Sequence, residues 1–144
     1  MKNFLVLIAC LLISGVTIAQ KQKRELKGVW QMVSGETNGN PNPSVFNNRT
    51  WEFKKDNTFE GRKLLPDNKS RLYNEGIYML PTDTTMVCLH KYGNGKLGMA
   101  AFVYNYTINN DSLHLYGYYL TGAKGKPGLL QPVYIDEWWV KKKK

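Results

Sequence analysis

The sequence predicts an all-β domain, closed as a single eight-stranded up-and-down antiparallel β-barrel, and three observations carry that expectation. After an apolar start, no segment sustains the 3.6-residue apolar period of a helix. Instead, runs rich in Val, Ile, Thr, Tyr, Phe and Trp recur, several alternating apolar with polar as in Thr50-Trp51-Glu52-Phe53-Lys54. Eight such runs can be drawn, over Gly28–Ser34, Arg49–Lys55, Thr58–Lys63, Arg71–Leu80, Thr84–Lys91, Gly98–Ile108, Ser112–Thr121 and Pro132–Val140. The connections between them alternate long and short without exception. In an up-and-down barrel, successive connections lie at opposite ends, so the long loops ring one mouth and the tight turns the other.

The segment before the first strand has the form of a secretory leader. Met1-Lys2-Asn3 is a short basic start, Phe4 to Ile18 is almost unbroken apolar sequence, and Thr17-Ile18-Ala19 supplies a small-residue cleavage site. A cleaved signal peptide over 1–19 and one barrel domain over 20–144 are therefore expected, with export to the periplasm or the extracellular space. The apolar stretch is also near the length of a membrane span, which leaves an uncleaved anchor as the alternative. Leu7-Ile8-Ala9-Cys10 has the form of a lipoprotein processing box. Cleavage there would leave Leu11-Leu12-Ile13 at the mature start, so we read Cys10 as part of the leader. Cys88 is then the one remaining cysteine, and the domain must be held by its packed core rather than by a disulfide.

The formal charge of +9 gathers at the ends, in Lys21, Lys23, Arg24 and Lys27 and in Lys141, Lys142, Lys143 and Lys144. Between Gly28 and Val140 acidic and basic side chains nearly balance. Basic tails suit solubility, or peripheral contact with an anionic envelope surface. No basic stripe interleaved with aromatics runs through the body, so nucleic acid is not an expected partner.

Taken in order, the first strand opens with Gly28-Val29-Trp30. A glycine two residues before a tryptophan lets the backbone pass under a large indole, and this pair is expected to plug the tight-turn end of the barrel. The loop that follows is polar except for Val45 and Phe46, which either fold over the mouth as a lid or anchor the loop to the wall. Alternation then turns Met32, Trp51, Phe53, Phe59, Phe102 and Tyr104 inward, with Tyr78, Tyr118 and Tyr134 joining them in the favoured register. From these, Met32, Trp51, Tyr78, Phe102, Tyr104, Tyr118 and Tyr134 are the candidate ligand-lining set. Inward tyrosines offer an apolar wall with a polar tip, suited to a small hydrophobic or amphipathic molecule. The last long loop, with Lys124 and Lys126, adds a basic rim without a phosphate-loop pattern.

Catalytic chemistry finds little support. Cys88 and His90 share one strand face and His114 lies on a nearby strand, but a thiol–imidazole pair needs hydrogen-bond reach and a third group, and a metal usually needs three ligands. Asp136 and Glu137 are adjacent and so point to opposite faces. Glu75 is the best lone candidate for a buried acid, which is weak evidence for acid–base work. No catalytic residue, metal site or cofactor is expected. Asn48, Asn68, Asn105 and Asn110 begin Asn-x-Ser/Thr sequons, which matter only in a eukaryotic secretory host.

Gly28-Val29-Trp30 resembles the Gly-x-Trp signature of lipocalins. Together with Leu26–Ser34, Glu75-Gly76-Ile77-Tyr78, the hairpin from Thr107 to Leu115 and the ending Asp136 to Lys141, it is similar to the small secreted lipocalin-like domains of Gram-negative bacteria, many without assigned function. The resemblance implies an eight-stranded lipocalin-like barrel with a ligand cavity open at the long-loop end. In lipocalins proper an arginine near the end of the last strand packs over the signature tryptophan. Here the corresponding residue is at best a lysine. The expected function is that of an exported binding protein for a small, partly hydrophobic molecule; the alternative is a non-enzymatic envelope interaction module with a filled barrel.

Overall fold

The computed structural model describes residues 25–41, 48–91, 97–122, 125 and 128–143, without the side chains of 97–100, 121 and 122. The leader with Cys10, the basic residues Lys21, Lys23 and Arg24, the loop residues Val45 and Phe46, and Lys124, Lys126 and Lys144 lie outside the described residues.

Nine strands are present among the described residues: β1 (Gly28–Thr37), β2 (Asn40–Pro41), β3 (Thr50–Phe53), β4 (Thr58–Leu64), β5 (Ser70–Met79), β6 (Thr85–Lys91), β7 (Leu97–Asn109), β8 (Ser112–Gly122) and β9 (Leu130–Lys141). Each strand from β3 to β9 pairs antiparallel with the next, while β1 pairs with both β3 and β9 and so closes the sheet on itself. The result is an eight-strand antiparallel barrel with one short extra strand. That extra strand, β2, folds back on the end of β1 across Asn38 and Gly39, both at positive φ, in a stretch the sequence suggested was all loop.

The tight turns follow from side chains that tolerate the left-handed region. Asn57 (φ 63°) turns β3 into β4 and Asn110 (φ 54°) turns β7 into β8. Asp56 Oδ1 accepts from the Thr58 amide at 3.0 Å and from its hydroxyl at 2.6 Å, fixing the first of these turns.

The end carrying these turns is packed solid. Trp30 is fully buried, its indole N–H donating to the Leu26 carbonyl at 2.7 Å. The Lys141 ammonium lies 5.0 Å from the Trp30 ring centroid and donates to the Glu25 carbonyl at 2.5 Å. A lysine thus covers the plug by a cation–π contact and ties down the chain that enters β1. Gly28 sits at φ 122°, where a side chain would be strained. Phe53, Phe59, Tyr78, Met86, Tyr106 and Leu113 complete the buried filling around Trp30.

Two departures from strand period shape the other end. Between β4 and β5, Gly61 faces Asn74 while Arg62 faces Leu72, so Tyr73 is an extra residue in β5. Between β1 and β9 the register shifts between Met32 and Ser34, making Val33 the extra residue. Bulges re-aim side chains, and both of these sit next to inward polar groups.

Candidate ligand-binding site

The inner wall toward the long-loop end combines an aromatic floor with a polar tier. Trp51 is the hub of the floor, with ring centroids 5.3 Å from Phe59, 5.6 Å from Trp139 and 6.3 Å from Tyr104. The cluster continues from Phe59 to His90, which packs edge-on between Phe59 at 5.1 Å and Phe102 at 4.4 Å, and Phe102 meets Tyr119 at 5.1 Å. His90, Phe102 and Tyr119 point inward yet are only half-buried, in contrast to the sealed rings around Trp30.

The polar tier centres on Arg49, which enters β3 from the long loop. Its Nε donates to the Tyr73 hydroxyl, which also accepts from the Trp51 indole N–H. Its Nη1 lies 3.5 Å from Glu137 Oε1, a long and single contact. The guanidinium also sits 4.7 Å from the Tyr73 ring centroid and 5.6 Å from that of Trp139. Glu137 is 2% exposed, the one buried charged residue among those described. Gly35 stands opposite it, and a Cβ there would lie 3.4 Å from Glu137 Cγ. Gly61 similarly leaves room for Asn74, Tyr73 and Trp51.

Burial governs the electrostatics. It raises the Glu137 carboxyl above its ordinary range more than Arg49 lowers it. It pushes Tyr73 up to about 12 despite the guanidinium beside it. His90 is pushed down to about 4, by burial first and by Arg49 second, so its ring is neutral at pH 7. Burial also drives the Cys88 thiol well up, which makes it a poor nucleophile.

Several of these groups are incompletely satisfied. Asn74 Oδ1, His90 Nε2, Glu137 Oε2 and Trp139 Nε1 are all buried without a hydrogen-bond partner among the described residues. The Trp139 indole is close enough to Glu137 to favour its charge, but falls outside the geometry of a good hydrogen bond. An orphaned buried polar group costs about 1–3 kcal/mol. Four of them lie on inward residues of the same polar and aromatic wall, and a fifth, Asn57 Oδ1, lies in the β3–β4 turn.

No family model and no curated protein matches the chain. Its fold is that of a known barrel. The solved structure of EF1p2_mFAP2b bound to DFHBI is similar over 86% of this chain and 97% of that one, with a TM-score of 0.53 and 14% identity. The likeness is one of fold, and it agrees with the eight-stranded antiparallel barrel expected from the strand pattern.

Of the candidate lining residues, Met32, Trp51 and Tyr104 are buried inside, and Phe102 faces in beside His90. Tyr78 is also inside, but its hydroxyl donates to the Lys54 carbonyl at 3.1 Å in the tight-turn end, away from the polar tier. Tyr118 and Tyr134 are corrections. They are 52% and 56% exposed and pair with each other across β8 and β9 on the outer wall, with ring centroids 5.8 Å apart. Leu113 and Leu115 on β8, and Glu137 and Trp139 on β9, take the inner face and force the odd positions of β8 inward and the even ones outward. Both faces of these strands carry apolar groups, so alternation alone did not set their phase.

Glu75 is a second correction. It is half-buried, opposite Glu60 on the neighbouring strand, and the buried acid is Glu137. His114 does not approach Cys88 and His90; it stacks 4.1 Å from Trp138 on the outer wall and bonds Asp136 at 2.9 Å. Among the described residues no group of three or more His, Cys, Asp or Glu is arranged to hold a metal ion.

Sequence reading missed Arg49, Tyr73, Asn74 and Glu137. Tyr73 was hidden by the bulge, which breaks the period of two. Glu137 carried no local signal, since the adjacent Trp138 and Trp139 satisfy either phase of the strand.

Proposed function

We propose that the protein is an exported, non-enzymatic carrier of a small, partly hydrophobic molecule, held in the long-loop half of the barrel against Met32, Trp51, Phe102 and Tyr104. The observation that carries this reading is the asymmetry of the interior. One end is sealed by Trp30 and Lys141, while the other pairs half-buried inward rings with four of the five unpartnered buried polar atoms among the described residues, the fifth being Asn57 Oδ1 in the tight β3–β4 turn. A filled barrel that served only as a scaffold would gain nothing from such groups, since burying them unpaired is unfavourable. The fold likeness to a barrel solved bound to DFHBI supports the same reading. Export rests on the leader, and kinship with the secreted lipocalin-like domains of Gram-negative bacteria rests on the motifs around Gly28 and Trp30.

The test is native mass spectrometry of protein purified from its own host. A co-purified adduct of small-molecule mass is expected, on a chain beginning at Gln20. No adduct, together with no change in tryptophan emission across a panel of lipophilic compounds, would overturn the carrier reading. The second reading, an envelope interaction module, is favoured by a different observation. Tyr116, Tyr118, Tyr134 and Trp138 stand exposed on the outer wall, and Lys27, Lys54, Lys55, Lys141 and Lys142 line a depression of about 450 Å³ at the closed end. That module would leave the interior empty of ligand and lose its partner on substitution of the outer tyrosines.

A further inference from the structure

The outer wall formed by β7, β8 and β9 is composed unlike the rest of the surface. Over 101–109, 112–120 and 132–140 its outward positions hold one Asp, Glu, Lys or Arg, which is Asp136, in a chain with 20 Lys and Arg and 11 Asp and Glu. Aromatic side chains take the middle of the face. Tyr118 faces Tyr134 across β8 and β9, Val103 faces Tyr118 from β7, and His114 stacks on Trp138 at 4.1 Å and on Tyr116 at 4.9 Å. Asp136 is engaged with His114 at 2.9 Å. Depletion of charge with enrichment in Tyr and Trp is the composition found at the centre of protein interfaces.

The extent of the face is also that of an interface. Its large apolar side chains, from Trp138 and Val140 at one end to Leu120 and Leu130 at the other, are each between 38% and 61% exposed. The rings of Tyr116, Tyr118, Tyr134 and Trp138, at about half of the 150–250 Å² that such a ring can bury, give roughly 400 Å². With the aliphatic side chains and the small polar ones between them the face reaches on the order of 700 Å². Each partner gives about 800 Å² to a standard interface, whereas a monomer usually exposes a few hundred Å² of contiguous apolar surface.

Charge selects the partner. A face without lysine, arginine or an unengaged carboxylate offers a charged surface nothing to pair with, so its complement is another neutral aromatic face, and the chain itself presents one. The molecule as a whole is strongly basic, and Lys27, Lys54, Lys55, Lys141 and Lys142 gather at the closed end. Two copies meet favourably only with those ends apart.

We propose that this wall is the contact between two copies of the chain, related by a two-fold axis that runs across the strands over Tyr118 and Tyr134. Such a contact is isologous, the same patch serving on both copies. The axis turns the second copy's strands antiparallel to the first. It sets each of the two tyrosines against its own mate, Tyr116 against Leu120 and Trp138 against Leu130. The two Asp136 carboxylates are then offset along the strands by about 13 Å, beyond a Debye length in physiological salt. The lysine-rich closed ends go to opposite extremes of the dimer. No residue of the barrel interior takes part, so the contact holds whatever the barrel carries.

Sedimentation velocity of the purified protein from about 1 to about 200 µM in physiological salt tests the association. A reversible dimer of twice the chain mass is expected. Tyr118→Glu or Tyr134→Glu should weaken it at least about tenfold, while circular dichroism and urea unfolding stay as in the parent. Disulfide trapping reads the axis: oxidised Tyr134→Cys should link to its mate, and oxidised Val140→Cys, far from the axis, should not. A single chain mass over the whole range, a dimer indifferent to both glutamates, or linkage at Val140 in place of Tyr134 overturns the proposal. A monomer that floats with phosphatidylglycerol vesicles and is released by Tyr118→Glu assigns the face to lipid and overturns it too.

Discussion

Replacing His90 with leucine separates its charge from its packing and gives a quantitative test of the interior described above. His90 lies between Phe59 and Phe102 with Nε2 unpartnered, and burial takes its pKa from 6.5 down to about 4. The folded-state value lies below the unfolded one, so as pH falls the unfolded chain takes up the proton first. The contribution of His90 is intact above about pH 6.5, is lost through the window down to about 4, and is flat below it. A shift of that size corresponds to about 3 kcal/mol, with a slope approaching 1.4 kcal/mol per pH unit within the window. His90→Leu removes the titration and keeps an apolar side chain between the two rings. Glu137 acts in the opposite sense, since its raised pKa favours the folded state as pH falls, but it is common to both proteins and cancels in their difference. Urea unfolding followed by tryptophan emission at pH 7.5, 6.5, 5.5 and 4.5 reads the result. The variant should equal or exceed the parent at pH 7.5, because an orphaned nitrogen is gone, and should gain about 3 kcal/mol on it by pH 4. Parallel loss of stability in the two proteins would refute the buried, neutral histidine.

Other substitutions probe the remaining parts of the wall. Arg49→Met strands Glu137 and should cost about 3–5 kcal/mol in denaturant unfolding, whereas Arg49→Met with Glu137→Met should recover most of it. Gly76→Ala places a Cβ 2.0 Å from the Leu89 carbonyl oxygen, which is backbone and cannot step aside, so thermal unfolding should show a loss of more than about 2 kcal/mol. Gly61→Ala meets the Asn74 amide at 1.8 Å and the Tyr73 and Trp51 rings at 2.7 and 2.8 Å, so it should likewise cost stability and disturb the Tyr73–Trp51 contact. Cys88, fully buried with its thiol pushed well up, should resist an aqueous disulfide reagent in the folded protein and react stoichiometrically in urea.

What was legible in the sequence, and what was not, follows from the period of a strand. Trp51 and Phe53 lie two positions apart and are flanked by Thr50, Glu52 and Lys54, so their inward direction could be read directly. The alternation of long and short connections holds only in part, since 65–69, 80–84 and 92–96 are of equal length; the antiparallel pairing of successive strands is what assigns them to opposite ends. Trp138-Trp139 and Tyr118-Tyr119 defeated the same logic, since two adjacent rings satisfy either phase and the choice is made together with Leu113 and Leu115 on β8 and Glu137 beside them on β9. The polar tier was illegible for a different reason. Tyr73 lies inside because β5 carries one residue more than its partner, and Arg49 precedes β3 rather than belonging to it. Register shifts and loop-to-strand entries depend on contacts distant in sequence, which no local pattern encodes.

The same irregularities explain how a small barrel can hold a polar site at all. An uninterrupted inner face would present only alternating apolar side chains and would pack as the Trp30 end does. The bulge at Tyr73 lies opposite Gly61, and that at Val33 lies beside Gly35; each glycine withholds a side chain where Asn74 or Glu137 needs volume. Bulge and glycine are separately unfavourable in a strand, by lost pairing and by backbone entropy. Their coincidence with an ion pair and unsatisfied polar atoms concentrates these costs at one end, where an up-and-down barrel receives its long loops. Stability at the other end is supplied by Trp30, Leu26 and Lys141, which close the barrel without using any group of the tier. The division lets the open half remain incompletely satisfied while the domain stays folded, and that is the condition under which a ligand's hydrogen bonds add to affinity rather than replace bonds already made.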